Sequence, residues 1–515
     1  MVELVLGVDL GITVSKAGIF GTDGSTEAVY AEEYDTESRE RPGEADPEDY
    51  WRAVSGAVRS ALAKWGGTPS RIRAVAASTH GESTFFLDAA GRPTRPVMIW
   101  NDARALEQSE AMLWRFGAQS LLEITGQTEI APIYPALKIA WLREHEPDVF
   151  ARTTAYLLPG DYINFRLCGV VSAEYSLWSD SYLLDIRALD WHRELLDFSG
   201  LREGLLPKPV NAGAPLGRVS EEAGRETGLA PGTLVVSGAI DQICSALAVG
   251  NIKPGEVSES SGSVLAMVAT TEVPVFDSKS HIPCFVHAAP GRYCLLPWAP
   301  TAGLTLQWFR SALGQAEAAA AVKAGKSPYE LICEQAASVP PGSEGLVMIP
   351  HLNGNYYPES RPEMRGVYAG ISSVHGKPHM ARALLEGVAY VIRQYAEMLR
   401  GTGSKVDRLL SLGGGSRSPV WSQIKADICG VPVVTSTCEE AAALGAGILA
   451  AVGCGLYATV DQAEPMFALS AHVYEPRAEN RAIYEEGFRR FQMLYDLLSS
   501  YFRETHPRRL GIAED

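Results

Sequence analysis

The first 34 residues constrain this chain more than any other stretch. Leu4-Val5-Leu6-Gly7-Val8 is an apolar run bounded by Asp9-Leu10-Gly11, the pattern of a buried strand. Val14 to Phe20 reads as a second strand, Gly21-Thr22-Asp23-Gly24 as a hairpin turn, and Ala28 to Tyr34 as a third strand. Three strands in succession make an antiparallel meander. A dinucleotide-binding unit needs a helix directly after its first glycine loop, so the opening argues against that fold.

The rest of the chain continues as alternating helix and strand. Asp46-Pro47-Glu48-Asp49 is a helix start, with an Asp cap, Pro in the first turn and acids that complement the dipole. Ile72 to Ala77 reads as a short buried strand. Leu234 to Gly238 is another, leading through Asp241 into a helix over Ile243 to Val249. Near Val257 the opening pattern returns. Ser260-Ser261-Gly262-Ser263 forms a turn, and the strand Val264 to Ala269 comes after it. Leu409 to Leu412 runs into Gly413-Gly414-Gly415, with a helix from about Pro419. A chain of 515 residues is expected to hold two to four domains. The recurrence predicts two α/β lobes with a ligand cleft between them, joined near Asn251-Ile252-Lys253-Pro254-Gly255. The expected division is 1–248, 249–500 and a tail over 501–515.

Charge and cysteine content exclude several functions. With 45 basic and 61 acidic residues the net charge is −16, which repels phosphate backbones and argues against a nucleic-acid partner. The eight cysteines have no CxxC spacing, so zinc ribbons and dithiol redox chemistry find no support. Scattered thiols, and an N-terminus without a basic n-region, predict a cytoplasmic protein. Ala441 to Val460 is twenty residues without a charge, but it is rich in Ala and Gly and has no basic anchor. It is expected to be a buried helix ending near Gly453, with no membrane partner.

Four segments are candidates for chemistry. Around Gly11 a tight turn presents backbone N–H groups, and Thr13, Ser15 and Lys16 add donors and charge suited to an anion. Asp9 stands where it can organise a magnesium ion or its waters. The same residues also suit an ordinary hairpin. Asp241 comes after a buried strand, at the edge where α/β proteins bind ligands, and can act as a general base toward a hydroxyl or as a helix cap. Gly413, Gly414 and Gly415, with Ser416 next, imply very close approach of the backbone to a flat ligand or to a packed helix. Ser78-Thr79-His80-Gly81-Glu82 and Trp100-Asn101-Asp102-Ala103-Arg104 crowd donors, acceptors and an aromatic face as a polyhydroxylated substrate demands. A structural histidine and a helix cap are the plain alternatives.

In order and spacing these segments resemble the FGGY carbohydrate kinases of the sugar kinase/Hsp70/actin superfamily, from Leu6 to about Tyr495. Gly7-Val8-Asp9-Leu10-Gly11 is similar to the family's first phosphate motif. Tyr134 to Glu144, with Pro135, Lys138 and Trp141, is similar to its first signature, though Ile133 departs from it. Arg365 to Gly370 through Ala383 to Gly387 is similar to its second, with Leu384 an unusual choice. Gly413-Gly414-Gly415-Ser416 resembles its adenosine motif. The resemblance implies two ribonuclease H-like (actin-like ATPase) domains and transfer of the γ-phosphate of ATP to a sugar hydroxyl, with Mg2+. Asp241 would be the base. Thr79, His80, Trp100, Asn101, Asp102 and Gln242 would hold the sugar. Gly11, Thr13, Lys16, Gly262, Ser263, Gly413, Gly414, Gly415 and Ser416 would hold the nucleotide, and Asp9 the metal. Gly262-Ser263 stands where Gly-Thr is usual and keeps the hydroxyl. Trp100 to Arg104 and His80-Gly81 resemble the xylulokinase subgroup, which points to D-xylulose. Ser78-Thr79 and Gln242 depart from that subgroup, leaving ribulose, erythritol, glycerol or gluconate as alternatives. A homodimer is consistent with the family. Two rivals are a nucleotide-dependent dehydrogenase, disfavoured by the lack of a GxGxxG unit, and a non-catalytic sugar sensor, disfavoured by the intact Asp9 and Asp241.

Overall fold

The computed structural model describes residues 2–35 and 41–505. Its frame is two sheets of matching topology. In the first, β1 (Leu4–Leu10), β2 (Val14–Gly21) and β3 (Thr26–Glu33) form the antiparallel meander. β4 (Ile72–Thr79) and β6 (Leu234–Ile240) continue it in parallel, and β5 (Pro215–Arg218) closes the edge antiparallel to β6, for the order β5-β6-β4-β1-β2-β3.

The second sheet repeats this plan. β7 (Gly255–Ser261) and β8 (Leu265–Thr271) are its hairpin. β9 (Cys284–Val286) and β10 (Tyr293–Leu295) extend it on one side. On the other, β11 (Val406–Leu412) and β12 (Val433–Ser436) run parallel to β7 and β13 (Leu469–Tyr474) closes it, for the order β9-β10-β8-β7-β11-β12-β13. The repeat expected from the two glycine turns is therefore a repeat of the whole sheet.

Local chemistry sets the element ends. Helix α1 (Pro47–Trp65) is capped by the Asp46 side chain, which accepts from the Glu48 amide at 2.9 Å, and ends where Gly66 turns left-handed at φ 70°. Tyr50, Trp51, Val54 and Val58 bury its inner face, and the helix packs on β2 and β3. Strand β1 is buried along nearly its whole length because helices cover both faces of its sheet.

Helix α3 (Asp241–Ala248) leaves the end of β6, and α7 (Ala441–Gly453) leaves the corresponding end of β12. The two helices pack on each other, and α7 also lies across β1, β4 and β6 of the first sheet. This packing explains the long Ala-Gly run. A β-carbon on Gly7 would stand 1.8 Å from the Ala443 carbonyl oxygen, and one on Gly445 1.9 Å from that of Cys244. Small residues let the two lobes meet backbone to backbone. Among the described residues no helix is long and apolar enough to cross a membrane. All eight cysteines are free thiols.

The connecting segment before β7 is tied down. Asn251 is buried and donates to the Ser258 hydroxyl at 3.1 Å and the Val268 carbonyl at 2.7 Å. The last helix, α8 (Arg481–Thr505), runs past residue 500 because Phe502 is buried against the second lobe's core. The segment expected as a tail thus begins as helix, and 506–515 lie outside the described residues.

Candidate active site

Strands β1, β4 and β6 are adjacent and parallel, so their carboxyl ends form one edge. In register, Asp9 faces Ser78 on β4, and Ser78 faces Ala239 on β6. Asp241 comes two residues later as the first residue of α3. A register shift between Val236 and Ala239 bends the end of β6 and re-aims the start of α3. With strands about 4.8 Å apart, the strand ends that carry the two carboxylates are about 10 Å apart, with β4 between them.

Both carboxyls titrate far from their usual range. Asp241 is pushed up to about 7 by burial, and the Glu82 charge adds to this. Its bond from the Gln242 amide, 2.7 Å, opposes the shift. That bond engages the next residue's amide, so Asp241 does not make the usual N-cap contact. Asp9 is raised to about 7 by burial first and by the Asp241 charge second, with Lys16 opposing.

The first turn differs in detail from expectation. The Gly11 amide donates to the Val14 carbonyl at 3.0 Å and closes the turn, so it is not free for an anion. Thr13 is exposed at the turn tip. Lys16 faces Asp9 across the hairpin, and its Nζ lies 2.6 Å from Glu440 at the start of α7. Burial lowers the Lys16 pKa, but the hydrogen bond and charge of Glu440 outweigh it and leave the value raised.

On the sugar side, two expected contacts are redirected. Thr79 is fully buried, and its unpaired hydroxyl lies 3.3 Å from where a Gly160 β-carbon would be. Side chains alternate along β4, so when Ser78 points to Asp9, Thr79 points to the helix Pro159–Cys168. His80 has both ring nitrogens engaged, one with the Leu10 carbonyl at 3.1 Å and one with the Ser83 hydroxyl at 3.0 Å. Burial lowers its pKa to about 4, so the ring is neutral and ties β1 to the turn after β4. Both ring nitrogens, expected to face the sugar, are thus engaged within the protein.

Trp100 is half-buried and Asn101 exposed. Asp102 is buried and held by Arg104, whose Nε lies 2.7 Å from one of its oxygens. Arg104 also bonds Glu44 at 2.9 Å and stacks over Trp141. Gln242 is half-buried beside the base.

Two residues belong here that the sequence pattern left out of the site. Glu82 adopts φ 56°, rare for a residue with a side chain, and its carboxyl is raised well above normal by burial and by Asp180. Lys138, on α2 (Pro135–His145), is fully buried. It donates to the Glu82 carbonyl at 2.9 Å and the Ile99 carbonyl at 2.7 Å. One ammonium thus fixes the Glu82 turn to the segment ahead of Trp100. Burial lowers its pKa to about 7. The signal for Glu82 was its place in the polar run after β4, whereas its backbone angle had no signature.

In the second lobe the expected nucleotide residues come together. The Gly262 and Ser263 carbonyls accept from the Gly303 and Ala302 amides at 2.7 and 2.9 Å, docking the turn on helix α4 (Gly303–Leu313). Gly413, at φ 71°, approaches so closely that a β-carbon there would lie 3.3 Å from the Gly262 amide nitrogen. Gly414 has open space above it. The Ser416 hydroxyl is spent on the Gly413 carbonyl at 2.8 Å, so it shapes the turn rather than offering a free donor. A cavity of about 730 Å3 near Pro340, Ile424 and Asp427 shares no residue with this site.

Among the described residues no three His, Cys, Asp or Glu side chains form a metal cage. Asp9 suits an ion whose remaining positions are filled by phosphate oxygens and water, the usual mode for magnesium.

Comparison with known proteins matches this architecture. The profile of the FGGY family of carbohydrate kinases, N-terminal domain, matches residues 4–248, and that of its C-terminal domain residues 260–454. The chain belongs to this family. It is an ATP-dependent carbohydrate kinase. It is 30% identical to the xylulose kinase of Lactococcus lactis, covering 95% of this chain and 96% of that protein. It is 27% identical to the xylulose kinase of Bacillus subtilis, over 99% and 98%. It is 29% identical to the gluconokinase of Bacillus subtilis, over 89% and 88%. The crystal structure of xylulose kinase from Rhodospirillum rubrum superposes with a TM-score of 0.86 at 26% identity, covering 97% of this chain and 100% of that one.

Proposed function

We propose that this kinase phosphorylates a small neutral ketose, D-xylulose first among them, with Asp241 as the general base. The observation that carries the reading is the Asp241 carboxyl, half-buried at a strand end and held at about 7 by desolvation. A base with that pKa is half ionised at neutral pH and can take a hydroxyl proton as the oxygen attacks phosphorus. The proton passes from the sugar hydroxyl to an Asp241 oxygen, a new O–P bond forms at the γ-phosphorus, and the bond to the ADP oxygen breaks. Such transfer depends on positioning and charge neutralisation more than on covalent chemistry. Bound beside Asp9, magnesium would neutralise phosphate charge. On this reading residues 1–248 carry the base and hold the sugar near Glu82, Trp100, Asn101 and Gln242. Residues 249–500 hold the nucleotide along Gly262-Ser263 and Gly413 to Gly415.

A neutral sugar is favoured by the state of the cations. Lys138 is spent on two carbonyls, and Arg104 on Asp102 and Glu44. An aldonate carboxylate would have to break one of those contacts. The test is ADP release with magnesium and ATP across ketopentoses, ketohexoses, aldonates, glycerol and tetritols. Selective turnover of D-xylulose supports the reading. Selective turnover of gluconate overturns the neutral-sugar argument.

A further inference from the structure

Beneath the two turns of the second lobe lies a buried ionic cluster. Lys425, on α6 (Pro419–Cys429), and Glu259, on β7, are both fully buried, and Nζ lies 2.5 Å from the carboxylate. The ammonium also reaches the hydroxyls of Ser261 and Ser411 at 3.1 Å each. Ser261 donates to the other Glu259 oxygen at 2.7 Å, and Ser411 donates to the first. Ser261 is the residue before Gly262, and Ser411 lies two residues before Gly413. One cation and one anion therefore grip the ends of β7 and β11 where each strand gives way to its turn.

Among the described residues the first lobe lacks this cluster. Its strands superimpose in topology on β7 and β11, yet the interior positions around Val8 and Ala77 are apolar. Burying two charges costs desolvation that an apolar pair avoids, so the cluster is not the cheapest way to fill this space. What it adds is direction. Five short polar contacts fix the separation of two strand ends, whereas apolar side chains slide. That separation matters here: a β-carbon on Gly415 would lie 2.7 Å from Cβ of Ser261, so the two turns already touch.

We infer that Lys425 and Glu259 are positioning residues for the nucleotide, setting the gap between the phosphate turn at Gly262-Ser263 and the glycine turn at Gly413 to Gly415. The inference rests on the nucleotide-binding reading of those turns. In the wild type the pair keeps both turns at one spacing before ATP arrives, so binding spends little on ordering them.

The test uses three variants of the full chain, with ATP and sugar kinetics and ADP calorimetry. Lys425→Met leaves a buried carboxylate unpaired and is expected to lose stability. The double variant Glu259→Gln/Lys425→Met removes both charges and keeps the volume. It is expected to hold a Tm near wild type, raise the KM for ATP and the Kd for ADP at least tenfold, and leave the sugar KM within twofold. Gly414→Val places a side chain in open space over the glycine turn and is expected to raise the ATP KM with no change in Tm. If the double variant keeps wild-type ADP affinity while Gly414→Val loses it, the positioning role is overturned and the nucleotide site stands. If Gly414→Val binds ADP normally, the nucleotide reading falls and this inference with it. A double variant that loses ATP and sugar affinity equally also overturns the inference, because a general loosening of the fold would do that.

Discussion

The negative charge of Asp241 helps hold the Asp9 carboxyl at about 7, second only to Asp9's own burial, although a whole strand separates the two residues' positions. Two acids that resist ionising together are poorly matched to each other and well matched to a cation with phosphates between them. The pair is a cost in the free enzyme that, on the proposed reading, a bound magnesium–nucleotide complex would offset.

Replacing the proposed base is expected to remove the chemistry and spare binding. Asp241→Asn keeps size and the Gln242 contact but cannot accept a proton. We expect kcat to fall by about 10³-fold, within the range for general-base removal, with the ADP Kd changed less than threefold. Steady-state ADP release and calorimetry measure both. Turnover within tenfold of wild type would sink the assignment.

The pH profile is set by the direction of the shift. Asp241 must be ionised to act, and its value is raised to about 7. Activity is therefore lost as pH falls through 7, tenfold in kcat/KM per unit below it. On the proposed reading Asp9 must also be ionised to take up magnesium, and its value is likewise raised to about 7. At low magnesium the acid limb should steepen toward a slope of two, and saturating magnesium should return it to one. A profile flat from pH 5 to 8 would exclude both groups.

Much of the frame around the candidate site is legible in the chain itself. The glycine turns at 11, 262 and 413 mark three strand ends, Asp9 stands just before the first of them, and Asp241 directly follows the strand Leu234–Ile240. The features that escape such reading depend on partners far apart in the chain. Thr79 and Ser78 are adjacent, and only the pleat decides which one faces Asp9. His80 has its ring contact from the carbonyl of Leu10, seventy residues earlier, which no local spacing reveals. Lys425 finds Glu259 across 166 positions, and no spacing rule connects them. The packing of α7 on the first sheet is equally hidden, since its Ala-Gly composition gives burial but not the surface buried against.

Stability should move opposite to activity at the two acids. The folded chain holds each proton at about 7, against 3.8 for an ordinary Asp. The folded state thus binds these protons more tightly than the unfolded one. Their contribution is lost as pH rises from about 4 to 7, and above 7 both carboxylates weigh against the fold. Asp9→Asn and Asp241→Asn remove that burden. Each is expected to raise Tm by roughly 2–8 °C at pH 8, with the gain shrinking toward zero at pH 4. Scanning calorimetry at the two pH values reads the difference. A lower Tm at pH 8 would mean that the carboxylates support the fold.

Glu82 offers a way to separate strain from substrate contact. Its φ of 56° costs about 1–2 kcal/mol for a residue with a β-carbon, and the turn is held there by the Lys138 ammonium on its carbonyl. Glu82→Gly relieves the backbone while Lys138 keeps its bond, so Tm should rise by a few degrees. Glu82→Gln keeps the backbone cost but removes the ionisable group facing Asp180 and Asp241. Both variants lose the carboxyl, so both are expected to raise the sugar KM at least tenfold and leave the ATP KM unchanged. If Glu82→Gly gained stability but kept the sugar KM, the strained turn would serve only to connect β4 to the next segment. If both variants raised the ATP KM instead, Glu82 would belong to the phosphate side of the site.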